Sequence, residues 1–268
     1  MNYELAGHTE MSKKLKIAVI ASVLFFLICL STVFIIKDEF LFKATSDILT
    51  IIISSVAAVS ILYTFRLMGF KSKEGKVWIL LTVGGVFSAL GEILWFYYEI
   101  ILNTQPYPSM ADLAYLSGYI FLIAGISIGY FSFKEALRKK DIIIAAILNI
   151  SLMFFLLYFI LVPIYTDPSY DFSSKIASYS YTAGDFLLVL MSSLLFFSFR
   201  GAKMSKSWLV ILAALVMWAL TDSLFTYLDW TGLYEGIPLA LTNLGYLISY
   251  IFLAFGAYYH KLILKGEA

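Results

Sequence analysis

Eight long apolar runs constrain the fold of this chain more than any other feature. Five contain no Asp, Glu, Lys or Arg, and each of the other three contains a single acidic residue. Each run is close to the roughly 20 residues that a helix needs to cross a bilayer, and in lipid a helix satisfies its own backbone. The sequence therefore predicts an all-α integral membrane protein with eight transmembrane helices. The runs are 17–36, 48–65, 77–98, 113–133, 142–166, 176–199, 207–228 and 236–259.

Composition excludes several other classes of protein. Charged residues make up 14 % of the chain, whereas a soluble domain carries about 25 %. The net charge of +1 gives no support to a nucleic-acid partner. Cys29 is the only cysteine and the two histidines lie near opposite chain ends, so we expect no disulfide, metal site or cofactor. The first run is too long for a signal-peptide core and lacks a small-residue cleavage site, so it is interpreted as a retained helix.

The basic residues predict the orientation of the helices. All except Lys37, Lys43 and Lys175 lie in the two terminal tails or in the loops after helices 2, 4 and 6. Lys and Arg are concentrated on the cytoplasmic side of membrane proteins. Both termini are therefore expected in the cytoplasm. No Lys or Arg lies within the eight runs.

The chain repeats itself at about half its length. Segment 115–125 reads YLSGYIFLIAG and segment 246–256 reads YLISYIFLAFG, with seven of eleven positions identical. Four helices return the chain to its starting side, so two such copies enter the membrane in the same direction. The sequence predicts two parallel four-helix repeats, 15–133 and 141–260, related by a pseudo-twofold axis along the membrane normal. The remaining segments are an N-terminal tail, a cytoplasmic linker and a C-terminal tail, at 1–14, 134–140 and 261–268.

Acidic residues recur at matched positions of the two repeats. Asp47 on helix 2 matches Asp185 on helix 6, and Glu92 on helix 3 matches Asp222 on helix 7. Counting residues from the cytoplasmic basic positions places three of them, Glu92, Asp185 and Asp222, in the outer half of the bilayer. Ionisable residues at that depth face protein or a water-filled cavity. The matched acids therefore predict a polar interior.

Two interpretations of this polar interior stay open. Residues at spacings of three and seven share one helical face, so acids and aromatic residues line up on helices 3, 4, 7 and 8. They form either carboxyl–tyrosine hydrogen bonds that brace the helices, or an outward-facing acidic and aromatic pocket for a small ligand or cation from outside. The candidate ligand-binding residues are Glu92, Trp95, Glu99, Tyr115, Tyr119, Asp185, Asp222, Tyr227, Tyr246 and Tyr250.

The loop between helices 3 and 4 carries a helix-capping signal. Ser109 stands three residues before Asp112, which is the S-x-x-D form of a capping box. We therefore expect these two residues to cap helix 4, with no ligand needed to explain them.

The five tryptophans divide by depth. Trp78, Trp208 and Trp230 lie near predicted helix ends, where tryptophan commonly anchors a helix at the membrane interface. Trp95 and Trp218 lie deeper and are candidates for packing or for pocket walls.

Several motifs resemble a known family. QPYPSMADLAYLSGY, YSYTAGDFLLVL, TDSLFTYLDWTGLYEG and LGYLISY occur in this order. Together they resemble the multi-helix membrane input domain found N-terminal to GGDEF diguanylate cyclases and sensor histidine kinases of bacteria and archaea. The resemblance covers helices 3 to 8 and implies a signal-sensing module in a prokaryotic plasma membrane. Only KLILKGEA follows His260, without a cyclase or kinase domain. The sequence is therefore either a free-standing input domain that signals through a cytoplasmic partner or a homodimer, or an input domain cut from a longer protein, or a branch of the family with another role.

Two rival functions are weighed against sensing. Intramembrane acids in a duplicated bundle are also typical of a proton- or cation-coupled small-molecule transporter. AGDF at 183–186 and PLAL at 238–241 loosely match motifs of intramembrane aspartyl proteases. An intramembrane hydrolase is therefore a remote alternative. The first glycine of that protease motif is replaced by Thr182. We therefore expect no enzyme activity.

Overall fold

The computed structural model describes residues 11–268; residues 1–10, most of the predicted N-terminal tail, lie outside the described residues. The described part contains eight long helices and no strand. All eight are long and apolar enough to cross a membrane, which confirms the predicted number. They are α1 (Lys13–Ile35), α2 (Glu39–Met68), α3 (Lys73–Ile101), α4 (Met110–Phe133), α5 (Lys139–Thr166), α6 (Phe172–Ser198), α7 (Ser205–Thr231) and α8 (Gly236–Leu264).

Six of these helices close a ring. Its order is α2, α3, α4, α6, α7 and α8, with α8 returning to α2. Helix α1 lies outside the ring, mainly against α8, and α5 lies outside it against α6. Only 6 % of the most apolar stretch of α1 and 17 % of that of α5 is buried, compared with at least 33 % for every ring helix. The two peripheral helices therefore turn most of their apolar surface outward, as lipid-facing helices do.

The order of neighbours in the ring is the one that a duplicated four-helix unit predicts. Helices α2, α3 and α4 follow one another as α6, α7 and α8 do, and the two sets meet where α4 contacts α6 and where α8 contacts α2. The two peripheral helices differ, because α1 packs mainly against α8 of the second set, whereas α5 packs against α6, which follows it in the chain. The duplication and its symmetry axis stay predictions.

Helix α2 begins earlier than its uncharged run indicates. It starts at Glu39, and the carboxylate of Asp38 caps it by accepting a hydrogen bond from the backbone N of Leu41 at 2.8 Å. Lys43, which lies outside the uncharged run, is therefore in the second turn of α2. A search for uncharged runs misses such a turn because it stops at the first charge.

Trp78 and Trp208 are not interfacial anchors, contrary to expectation. Both are buried at the end of the bundle that carries the chain termini, with their ring centroids 5.7 Å apart. His260 packs against them, its ring centroid 4.7 Å from that of Trp78. A tryptophan near a helix end faces lipid or a neighbouring helix according to its angular position, which the run lengths do not specify.

Candidate functional site

A tyrosine on α4 lies between two aspartates from neighbouring helices of the ring. The Tyr119 hydroxyl is 2.7 Å from Oδ1 of Asp185 on α6 and 2.6 Å from Oδ2 of Asp222 on α7. All three side chains are buried. A phenol has one proton to donate, so the second short contact requires a proton on one carboxyl group, which donates to the phenol oxygen. The trio therefore carries at most one negative charge.

Two tyrosines of α8 extend this network around the ring. The Tyr246 hydroxyl donates to the other oxygen of Asp222 at 2.6 Å. The Tyr250 hydroxyl, one turn later, donates to Oε1 of Glu92 on α3 at 2.8 Å. Tyr115 on α4 also faces Glu92. Carboxyl–tyrosine contacts thus connect α3, α4, α6, α7 and α8.

The aspartate of the first repeat is not bridged in the same way. Asp47 on α2 matches Asp185 in sequence, and Tyr250 stands at the matching tyrosine position of α8. Tyr250 donates to Glu92, however, and within residues 11–268 the buried Oδ2 of Asp47 has no hydrogen-bond partner. A buried polar atom without a partner costs free energy. Oδ2 of Asp47 is therefore left without a donor, and the carboxyl group of Glu99 lies beside Asp47.

The outer acid of the first repeat is paired. Glu99 lies in a π-helical turn, Tyr97–Ile101, at the end of α3, and such turns are frequent at functional sites. Its Oε2 accepts a hydrogen bond from Nε1 of Trp95 at 3.0 Å. Nζ of Lys43 is 3.7 Å from Oε1 of Glu99 and 2.9 Å from Oε1 of Glu39. Lys43, which lies outside the uncharged run of helix 2, thus offsets the negative charge of Glu39 and Glu99.

The outer acid of the second repeat is satisfied without a cation. Asp229 accepts one hydrogen bond from the hydroxyl of Tyr170 at 2.6 Å and one from Nε2 of Gln105 at 3.0 Å. Burial, followed by the contact with Asp229, raises the pKa of Tyr170 above its ordinary value, so this hydroxyl stays a neutral donor.

Hydrogen bonds of Asp167, a set called here the Asp167 latch, tie the loop between α5 and α6 to the end of α7. Asp167 accepts hydrogen bonds from the backbone N of Ser169 at 2.8 Å and from Nε1 of Trp230 at 2.8 Å. The hydroxyl of Ser169 donates to the same carboxylate at 2.6 Å. The hydrogen bonds from Ser169 and then from Trp230 lower the pKa of Asp167 to about 2. The indole of Trp230 is therefore fixed by its hydrogen bond to Asp167.

The predicted cap of α4 is present, and it also joins the polar network. Oδ2 of Asp112 accepts a hydrogen bond from the backbone N of Ser109 at 2.6 Å, and Oγ of Ser109 accepts one from Ala111 N at 3.1 Å. The hydroxyl of Tyr181 donates to the remaining oxygen of Asp112 at 2.7 Å. Capping alone is therefore an incomplete explanation of Asp112.

Two adjoining cavities lie within the ring. The inner one has a volume of about 50 Å³, and a site for one water needs about 10–15 Å³, so it admits a few waters or a small chemical group. The outer one has a volume of about 560 Å³ and includes the loop after α3 in its wall, at the end opposite the termini. The inner cavity is lined by Asp47, Thr50, Glu92, Trp95, Asp112, Tyr115, Tyr181, Trp218, Asp222, Phe225, Thr226, Tyr234, Asn243 and Tyr246.

Aromatic rings separate the two cavities. Trp95, Phe225 and Tyr234 line both of them. The Phe225 ring meets Trp95, Tyr107 and Tyr234 edge to face, at centroid distances of 5.6, 5.0 and 4.9 Å. Burial raises the pKa of Tyr107 and Tyr234 above the ordinary value, so both phenols stay uncharged. Such rings offer an apolar wall and, on their faces, a favourable surface for a cation.

The structure brings nine of the ten predicted ligand-binding residues into this region. Those that line a cavity are Glu92, Trp95, Glu99, Tyr115, Asp222 and Tyr246. Tyr119, Asp185 and Tyr250 lie behind the cavity wall in the hydrogen-bonded network.

Tyr227 lies apart from the others, and we correct its assignment. It is 41 % exposed, and its ring packs edge-on against Trp230. It follows Asp222 by five residues, which at about 100° per residue turns it roughly 140° away from the cavity face. Tyr97, which follows Glu92 by the same five residues, is also exposed.

The sequence prediction omits several residues of the site. Tyr181 precedes Asp185 by one helical turn, so it shares that face, and this spacing is a signal that could have found it. For Asp47, the signal is its match in sequence to Asp185. Tyr107 and Tyr234 lie in loops, where no periodicity indicates which way a side chain points.

Comparison with protein-family models, with curated proteins and with solved structures gives no match to this chain. Among residues 11–268, no three side chains of His, Cys, Asp or Glu come together in a way that could hold a metal ion. The arrangement of acids, phenols and indoles itself therefore carries the functional inference.

Proposed function

We propose that this chain is a polytopic sensory module of a prokaryotic plasma membrane, which binds a small ligand from outside. The observation that carries the proposal is the pair of adjoining cavities, with carboxyl groups and aromatic rings in their walls. Ligand sites are typically concave and largely apolar, with a few convergent polar groups. The motif resemblance to membrane input domains supports sensing.

The orientation in the membrane belongs to this proposal. With Lys and Arg concentrated at the end that carries both termini, that end lies in the cytoplasm. The outer cavity then faces the exterior, because residues of the loop after α3 line it. The signal passes to a cytoplasmic partner or to a second copy of the chain.

Duplication is the proposed origin of the ring. The order of helices in the two sets agrees with it, and so do matched residues such as Asp47 with Asp185 and Glu92 with Asp222. The pseudo-twofold axis would run through the ring, parallel to the helices. Superposing 15–133 on 141–260 should then place Glu92 on Asp222.

A binding and flux assay tests the function. The purified chain is reconstituted in proteoliposomes, screened with small organic compounds, and assayed for saturable binding and for uptake of the compounds that bind. A sensor binds its ligand saturably and carries none across the bilayer. Uptake driven by a proton or cation gradient would contradict sensing.

Transport is the second candidate function. Carboxyl groups on the inner cavity, such as Asp47 and Glu92, favour it because acids on a cavity can carry protons or cations. A hydrolase is disfavoured by the geometry of Asp185 and Asp222. The Tyr119 hydroxyl lies between their carboxyl groups, at the position where an aspartic dyad needs its water.

A further inference from the structure

We propose that the inner cavity binds the primary ammonium group of a small organic amine, which pairs with Asp47. This inference rests on the proposed ligand-binding function and names the chemical class of the ligand. Asp47 is only 8 % exposed, lines the inner cavity, and its Oδ2 has no hydrogen-bond partner within residues 11–268. Buried carboxyl oxygens are normally hydrogen-bonded, so one that faces a cavity without a partner is a candidate acceptor for a donor from a ligand.

The charges around Asp47 favour a cationic donor. Glu92 lines the same cavity and receives a hydrogen bond from a neutral phenol, that of Tyr250. Glu99 lies within side-chain hydrogen-bonding reach of Asp47 and adds a second acid beside it. The nearest basic side chain, Lys43, lies one turn before Asp47 and is engaged by Glu39 and Glu99. A buried carboxylate is retained at low cost only when a charge or several donors compensate it. The ligand supplies that charge.

The donor set favours an ammonium group over a metal ion. Ca²⁺ needs about six to eight oxygen ligands, and no metal-holding group of three residues occurs among residues 11–268. A primary ammonium presents three N–H donors, and the cavity offers oxygens of Asp47, Glu92 and Thr50. The aromatic rings between the two cavities add cation–π attraction.

The volumes of the two cavities describe the rest of the ligand. About 50 Å³ admits the ammonium group and little more, whereas about 560 Å³ next to it admits the body of the molecule. The outer wall carries hydrogen-bonding side chains such as Asn103, Gln105 and Asp229. We therefore infer a primary amine whose other end is polar. A quaternary ammonium has no N–H donor and is too bulky for the inner cavity.

The test uses n-butylammonium chloride, which presents the inferred ammonium group without the polar end, and measures its binding to the purified full chain by calorimetry and by thermal unfolding in detergent. Sodium chloride, n-butanol and tetramethylammonium chloride serve as matched probes of charge, shape and N–H donors. We expect saturable binding of n-butylammonium alone, with affinity at least tenfold lower for Asp47→Asn. Asp141→Asn is the control, because it removes a carboxylate held by Arg138 and Arg200, outside both cavities. Its affinity should stay within twofold of wild type.

Three results would overturn the ammonium site. They are no saturable binding to the folded wild-type chain, equal stabilisation by sodium chloride, and unchanged affinity for Asp47→Asn. If Asp47→Asn does not fold, Glu92→Gln replaces it, and its affinity for n-butylammonium should be several-fold lower than that of wild type. A different compound that binds saturably while n-butylammonium does not would overturn this inference and leave the sensory function standing. Gradient-driven uptake of the amine would instead contradict the sensory function and leave the site standing.

Discussion

The two acids of residues 141–260, Asp185 and Asp222, share one tyrosine hydroxyl, that of Tyr119 on α4. At the matching position of α8, Tyr250 donates to a single carboxyl group, that of Glu92 in residues 15–133. Glu92 stands where the second repeat has Asp222, so its carboxyl group lies one methylene farther from the backbone. Within residues 11–268, Oδ2 of Asp47 is left without a hydrogen-bond partner. One half therefore uses its carboxyl groups to hold helices together, while the other keeps one free beside a cavity. The acids Asp185 and Asp222 thus join neighbouring helices, whereas Asp47 borders a cavity.

The largest effect is expected from the bridging tyrosine. Tyr119→Phe removes the partner of two buried carboxyl groups and should lower the free energy of unfolding by about 2–4 kcal/mol. Tyr250→Phe removes one contact and should cost about 1–2 kcal/mol. SDS-induced unfolding in mixed micelles, followed by circular dichroism, measures both. Equal losses for the two variants would show that the repeats are braced alike.

The matched aspartates should respond differently to amidation. Asp185→Asn disturbs the bridge on Tyr119 and should cost about 1–3 kcal/mol of unfolding free energy. Asp47→Asn removes a carboxyl group that has no partner on Oδ2, so stability should stay the same or rise. The same unfolding assay compares them. A comparable loss for both variants would contradict the assignment of Asp47 as the free carboxyl.

A smaller effect is expected at the rim of the first repeat. Lys43→Gln removes the partner of Glu99, a partly exposed pair, and should cost less than about 1 kcal/mol. Because it also adds an unpaired acid beside the outer cavity, it should tighten n-butylammonium binding a few-fold. Calorimetry on the variant tests this, with Lys175→Gln as a control that removes a basic residue outside both cavities. Weaker binding to Lys43→Gln would show that Lys43 assists the ligand.

The smallest effect concerns the Asp167 latch. Asp167 has a pKa of about 2, below its usual 3.8, because of its hydrogen bonds. A lowered pKa stabilises the folded state above pH 3.8 and loses that contribution as the pH falls towards 2. Trp230→Phe removes one donor, so the pKa of Asp167 should rise and less stability should be lost across this window. Thermal unfolding between pH 2 and pH 5 measures the change. An unchanged pH profile would mean that Trp230 does not hold Asp167.

Helix number and shared faces could be predicted from the sequence. Apolar runs are set by local composition, and a spacing of three or seven residues fixes a face, so Glu92 and Trp95 were placed correctly on the cavity wall. A spacing of five residues turns a side chain away from that face, which is why Tyr227 does not lie with the other candidate residues. Boundaries marked by charge were also wrong, as Lys43 on α2 demonstrates.

Contacts between helices could not be predicted in the same way. Nothing local indicates that Tyr119 reaches both Asp185 and Asp222, because these residues lie far apart in the chain. Nor does the match of Asp47 to Asp185 reveal that one is bridged and the other free. That difference depends on which carboxyl groups the hydroxyls of Tyr119 and Tyr250 contact, and this is determined by how the helices pack.

A pair of double-mutant cycles tests the asymmetry of the two repeats most directly. Each cycle combines a Tyr→Phe with an Asp→Asn substitution and measures the coupling in unfolding free energy. We expect a coupling of about 1–3 kcal/mol between Tyr119 and Asp185, and additive effects within about 0.5 kcal/mol for Tyr250 and Asp47. Equal coupling in both cycles would mean that Tyr250 binds Asp47 as Tyr119 binds Asp185, and that Asp47 offers no unpaired carboxyl oxygen to the cavity.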